Sequence, residues 1–245
     1  MIKLALKIFQ YSSILFLLTI ISCSSPEKIT ISPLLGSPEY ENSSIGLNLI
    51  NESGDYFVSS FYLENYELGI QTENLLASDL ANSERGQHVH LIINNGPYTA
   101  LYDRFFEFGN DEKSHVVLAF LSRSYHESVK NPNAYVLAQI GNLETNIDLE
   151  NEFLFYSRPK GTYKGKDAEK VLLDFYLVNT EISPNGNKVR ATINDTVFLI
   201  DDWIPFYIEG LKNGENKIKL ELIDSNGNLI DVPFNPSIKT FNIEK

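Results

Sequence analysis

Phe61-Tyr-Leu-Glu-Asn-Tyr-Glu67 returns later in the chain as Phe175-Tyr-Leu-Val-Asn-Thr-Glu181, with five of the seven positions identical. Other blocks keep the same order around it. Upstream, Ser32-Pro33 with Gly36 and Tyr40 echoes Ser157-Arg-Pro159 with Gly161 and Tyr163. Downstream, Val89-His-Leu-Ile-Ile-Asn94 matches Val189-Arg-Ala-Thr-Ile-Asn194, and Leu118-Ala-Phe-Leu121 matches Leu220-Glu-Leu-Ile223. Blocks that recur in one order are the mark of a duplicated structural unit. The first copy carries extra residues around 70–86.

Within each copy the apolar residues alternate or cluster in short β-branched runs, as in His88-Val-His-Leu-Ile-Ile93, Lys188-Val-Arg-Ala-Thr-Ile193 and Lys217-Ile-Lys-Leu-Glu-Leu-Ile223. Turn dipeptides separate them: Asn95-Gly96, Asn185-Gly186, Asn213-Gly214 and Asn226-Gly227. Sustained helical periodicity is missing, and only Thr72–Ala81 could form a helical turn or two. The pattern predicts an all-β chain of two tandem immunoglobulin-like β-sandwich domains, at 29–147 and 148–245. Neither copy has the Cys–Trp–Cys pattern, so both are sandwiches without a disulfide.

Residues 1–22 read as a lipoprotein signal peptide. Lys3 and Lys7 precede the apolar run Ser13-Ile-Leu-Phe-Leu-Leu-Thr-Ile-Ile21, which is too short to span a bilayer, where ~20 apolar residues are needed. The segment ends Ile20-Ile21-Ser22-Cys23, a lipobox-like close that makes Cys23 the expected lipidation site. Cys23 is the chain's one cysteine, which excludes an intramolecular disulfide and any Cys-based zinc site. Residues 23–28 form a short tether. Ser24, rather than Asp, after the lipidated Cys suggests the outer membrane by resemblance to lipoprotein sorting rules.

The 245 residues hold 20 Lys+Arg against 32 Asp+Glu, a net charge of -12. That balance argues against a nucleic-acid partner, which needs a cationic surface to neutralise phosphates. Basic residues gather at the junction of the copies, at Arg158, Lys160, Lys164, Lys166 and Lys170. There they could help dock the domains, meet an acidic partner or simply guard a strand edge.

The mature chain resembles a family of two-domain outer-membrane lipoproteins from Bacteroidota-type bacteria. The residues that carry the resemblance are Gly86-Gln-His-Val-His-Leu-Ile-Ile93 with Pro97-Tyr98, then Phe120-Leu-Ser-Arg-Ser-Tyr-His-Glu-Ser-Val-Lys130, then Ser157-Arg-Pro-Lys-Gly-Thr-Tyr163. The family has no assigned activity, so the resemblance implies a fold and a location and no chemistry.

Two groups of residues could carry a function. All four histidines lie in the first copy, and His88 and His90 are two apart in a strand, on one face. Parity transferred from the second copy, where Val189, Ala191, Ile193, Ile218, Leu220 and Leu222 point inward, turns His88, His90 and His115 outward. There they would form a three-imidazole site for Cu(II) or Zn(II), unless that face is covered. His126 could supply a fourth ligand. The second group is the loop Ser122-Arg-Ser-Tyr-His-Glu-Ser-Val-Lys130, where Arg123, His126 and Lys130 with Ser122 and Ser124 could hold a carboxylate, phosphate or sugar. The same letters spell a Ser–His–Glu hydrolase, but no nucleophile elbow accompanies them, and no catalytic residue is assigned. The leading expectation is a non-enzymatic, lipid-anchored envelope protein that binds another envelope protein or a small ligand through its first domain. Metal binding is the alternative.

Overall fold

The computed structural model describes residues 28–48, 51–53, 56–74, 77–109, 113–141 and 147–245. The signal segment, Cys23 and all of the tether but Lys28 lie outside them, and residues 75–76 of the possible helical turn do as well.

Among the described residues, alternation and turn chemistry produce four antiparallel-rich sheets, two per copy. In the first copy, β2 (Ser44–Leu47), β3 (Asn51–Ser53) and β7 (Phe105–Gly109) all pair with β4 (Tyr56–Glu64). The facing sheet has the order β6 (Thr99–Leu101), β5 (His88–Ile93), β8 (Ser114–Ser122), β9 (Tyr135–Gly141). The second copy repeats this plan. Strands β10 (Phe153–Arg158), β12 (Val171–Val178) and β15 (Phe206–Glu209) face β14 (Thr196–Ile200), β13 (Lys188–Ile193), β16 (Gly214–Ile223) and β17 (Ser237–Glu244), with β11 (Thr162–Lys164) parallel to β17. Each copy is an immunoglobulin-like sandwich, as the repeat predicts.

The repeated residues have local jobs. Asn65 and Asn179 close the two copies of the opening motif with φ of 52° and 56°, a left-handed turn that Asn tolerates. Asn94 and Asn194 do the same after β5 and β13, with φ of 49° and 51°. Each then accepts a hydrogen bond from the neighbouring strand, Val116 N at 2.8 Å and Lys217 N at 3.0 Å.

Inside the second sandwich the inward residues fall where parity puts them: Val189, Ala191, Ile193, Ile218, Leu220 and Leu222 are fully buried in one core. The first sandwich encloses Val89, Leu91, Val117, Ala119 and Leu121. This corrects the parity transferred to β8, which turns His115 outward and with it, two, four and six residues on, Val117, Ala119 and Leu121.

A third core lies between the sandwiches. Ile92, Tyr98, Val116, Leu118 and Phe120 of the first copy pack on Phe153, Phe155, Tyr176 and Val178 of the second. Phe120 stacks on Tyr176 with ring centroids 4.6 Å apart. Strands β8, β10 and β12 are therefore buried on both faces, as in a sheet covered on both sides. Burying each such side chain contributes about 1.5–3 kcal/mol, so this seam is a cohesive apolar interface.

β1 (Thr30–Pro33) departs from the sequence boundary at 29. It pairs antiparallel with β15 and forms the edge of the second sandwich, although it precedes the whole first copy.

Candidate metal centre

β5 ends one face of its sheet with His88 and His90, and this face turns toward the second sandwich. Both imidazoles are fully buried at the seam. The third imidazole comes from the tight return after β8, where Ser122 bridges to Ser128. His126 sits at the turn of that hairpin with φ 69°. In the second copy the matching hairpin bridges Ile223 to Leu229, and its matching position is Gly227, φ 85°. A left-handed conformation that suits glycine thus carries a histidine, a strained choice of the kind that accumulates at functional sites.

The ligand atoms of His88, His90 and His126 all lie within 4.8 Å of one another. His88 Nε2 is 2.9 Å from His90 Nε2 and 3.1 Å from His126 Nδ1. On its other side, His88 Nδ1 lies 2.8 Å from the Gly86 carbonyl oxygen. That oxygen only accepts, so Nδ1 carries the proton and Nε2 turns its lone pair to the centre, the usual way an outer hydrogen bond orients a ligating imidazole. His90 Nδ1 lies 3.3 Å from Ser157 Oγ of β10, and with its proton there His90 turns a second lone pair to the same point.

Burial dominates the electrostatics. Desolvation lowers the pKa of His88 to about 4, with Arg158 and Arg85 adding to it and the Gly86 carbonyl opposing. His90 is pushed well below the ordinary value, first by burial and then by its neighbours His88 and His126. His126 is lowered by burial, then by Arg158 and His88. All three are neutral at pH 7, the state that ligates. A hydrolytic triad does not form, since none of the hydrogen bonds to these rings comes from a carboxylate among the described residues.

Tyr98 and Tyr102 wall the site. Tyr98 stacks on His90 at 3.6 Å between centroids, and its hydroxyl is 3.4 Å from His126 Nδ1. The Tyr102 ring lies 4.9 Å from that of His88, with Arg85 3.9 Å above it.

His115 does not join this group. It is the second residue of β8, opposite Ile140, on the face that also carries Val117, and lies beside Asn94. His90 pairs with Phe120, five residues further along β8, a separation of roughly 17 Å at about 3.3 Å per residue. The physical reason is a one-residue slip: the two asparagine bonds above match Val116 with Lys217, so His115 matches Asn216. Asn194 donates to Asn216 just as Asn94 lies beside His115.

The loop group is also placed differently from its sequence reading. Arg123 is buried, paired with Glu127 at 2.9 Å and donating to the Ser128 and Pro38 carbonyls. Lys130 is held 2.6 Å from Asp174 of β12. Ser124 exchanges hydrogen bonds with Thr72, and Ser122 Oγ lies 3.2 Å from His90 Nε2. The hairpin is clamped between the 34–41 segment and the second sandwich, and its charges pair internally, Arg123 with Glu127 and Lys130 with Asp174. Arg158 of the junction cluster is buried too, whereas Lys164, Lys166 and Lys170 make exposed ion pairs. From the sequence His126 is a loop residue and at most a fourth ligand, Arg158 only a member of the basic cluster and Tyr98 only a residue of the family resemblance, and none of the three is fixed beside the His88–His90 pair. Aligning His126 with Gly227 is the signal that points to it.

No family model and no curated protein matches the chain. Solved structures to which it is similar include the fibronectin(III)-like modules of Clostridium thermocellum CbhA, at 10% identity and TM-score 0.29, covering 82% of this chain and 94% of that one. The central fibronectin-III array of RIM-binding protein aligns at 10% identity and TM-score 0.28, over 87% of this chain and 72% of that one. The chicken CNTN1 FN1-FN3 domains align at 11% identity and TM-score 0.23, over 87% and 68%. The fold assignment rests on the strand order and pairing described above.

Proposed function

We propose that this chain is a non-enzymatic, lipid-anchored protein of the outer membrane that holds a transition-metal ion, Cu(II) or Zn(II), on His88, His90 and His126. The observation that carries the reading is that three imidazole nitrogens, those of buried His88 and His90 and of partly buried His126, lie within 4.8 Å of one another. Imidazole suits both ions, and a set of three histidines leaves a position open for a further ligand. The anchor would be acylated Cys23. Thr30, the first residue of β1, follows it by seven residues, so the edge of the second sandwich would lie within about 25 Å of the lipid.

Metal titration of the full chain tests this. At a free ion concentration a hundred times Kd, an ion bound only by the folded state adds about 2.7 kcal/mol. For a chain of this size that raises Tm by roughly 5–10 °C. An unchanged Tm with both ions would remove the reading. Fatty-acid labelling tests the anchor separately, since Cys23→Ser should carry no label.

A second reading, capture of a small ligand or partner, is favoured by a cleft of about 380 Å³ beside the hairpin, lined by Glu39, Glu41, Arg123, Lys130 and Trp203. Trp203 is the chain's one tryptophan, so its fluorescence reports occupancy directly.

A further inference from the structure

The imidazole trio has a fourth neighbour of ligating chemistry, and beside it stands a buried cation without an anion. The Tyr98 hydroxyl oxygen is 3.4 Å from His126 Nδ1. With metal–nitrogen bonds of about 2.0–2.1 Å, neighbouring ligand atoms lie roughly 2.9 Å apart in a square-planar site, the geometry Cu(II) favours, and roughly 3.3–3.4 Å apart in a tetrahedral one. The distances from His88 Nε2 to the other two imidazole nitrogens, 2.9 Å and 3.1 Å, fall in that range, all three nitrogens lie within 4.8 Å of one another, and the Tyr98 hydroxyl adjoins the cluster on the His126 side.

Arg158 supplies an independent observation. Its side chain is buried, donates to the Tyr163 hydroxyl at 2.8 Å, and leaves Nε without a partner. Among the described residues it forms no ion pair with a carboxylate. Its guanidinium lies 5.2 Å from the Tyr98 ring centroid, and the Lys160 ammonium lies 4.2 Å from the same centroid. A buried charge without a counter-charge is costly. A divalent ion added beside these two cations would deepen that cost unless an anion came with it.

Building on the metal-binding reading above, we propose that Tyr98 is the fourth ligand, binding Cu(II) as a phenolate whose charge is matched by Arg158 and Lys160. The O–H bond breaks as the Cu–O bond forms, and the proton leaves to solvent. Copper stays Cu(II) throughout, and no electron is transferred. Tyr98 is well placed for this because its ring is fixed against His90, and its carbonyl oxygen accepts from Lys160 Nζ.

Titrating the full chain with Cu(II), followed by visible absorption and resonance Raman, tests the assignment. The parent should develop one phenolate-to-copper charge-transfer band that saturates at one ion per chain. Tyr98→Phe should still be stabilised by Cu(II), with affinity reduced about tenfold or more, but without the band. Tyr102→Phe, which alters the other nearby phenol, should keep the band, and His126→Gly should lose both band and stabilisation. A parent that binds Cu(II) without phenolate vibrations, or a Tyr98→Phe variant that keeps the band, would overturn the tyrosine assignment alone. A parent that binds no Cu(II) would overturn it together with the copper reading. Because the parent spectrum decides on its own, the test does not depend on how any variant folds.

Discussion

His126 is the residue where backbone and chemistry disagree, and the disagreement is measurable. Its φ of 69° costs an L-residue about 1–2 kcal/mol, whereas glycine adopts it freely but loses more chain entropy on folding. His126→Gly should therefore leave the metal-free protein within about 1 kcal/mol of the parent in urea denaturation. A loss of several kcal/mol would mean that the imidazole is a packing element instead. The buried imidazoles also fix a pH dependence. The folded-state pKa of His88, about 4, lies below its unfolded value near 6.5, so the unfolded chain takes up protons that the folded one refuses. Stability is then complete above pH 6.5 and falls as pH drops toward 4, by about 3 kcal/mol from His88 alone, with His90 and His126 adding in the same direction. Glu127, whose pKa burial raises, opposes this, but one carboxyl stands against three imidazoles. Denaturant melts of metal-free protein at pH 7.5, 5.5 and 4.5 should show the decline, and a flat profile would contradict neutral burial of the trio. The His88–His90 pair was legible in the sequence, because strand period puts i and i+2 on one face. His126 was legible only as a loop residue, since the turn that brings it back to β5 is a long-range contact.

At the scale of the strand, β13 and β8 show why one parity could be read and the other could not. Lys188-Val-Arg-Ala-Thr-Ile193 alternates, so its inward face is unambiguous. His115-Val-Val-Leu-Ala-Phe-Leu121 is apolar at every position after the histidine, because one face fills the first sandwich and the other fills the seam. Such a strand carries no periodic information, and a one-residue slip in aligning the copies exchanges its faces. That slip sent His115 to the wrong side. Phe120, fully buried on the seam face, gives a direct check: Phe120→Ala should cost about 3–5 kcal/mol by denaturation, as for a core aromatic. A cost below 1 kcal/mol would mean that this face of β8 is not packed.

Over the whole molecule, the repeat in the sequence announced two sandwiches but not that they share a core. Phe153, Phe155 and Tyr176 sit on strands whose hydrophobicity reads equally well as the interior of the second copy alone. β1 was equally hidden, since a four-residue strand carries no signal of which sheet edge it will join. Together these contacts should make the full chain melt in one calorimetric transition. Residues 148–245 alone would lack β1 and expose the seam aromatics, so that fragment should be less stable than the intact chain and prone to associate. Two separated transitions in the full chain would show that the seam is not cohesive. The location of the trio at this seam, with ligands from β5 and the β8 hairpin and Ser157 behind them, ties any bound ion to the docking of the two halves. The most direct measurement is equilibrium dialysis of the full chain against Cu(II) or Zn(II) at pH 7.5, followed by elemental analysis of parent and His126→Gly protein. One ion per chain in the parent and none in the variant is the expected result, whereas a metal-free parent, or a variant that retains the ion, would contradict a centre built on His88, His90 and His126.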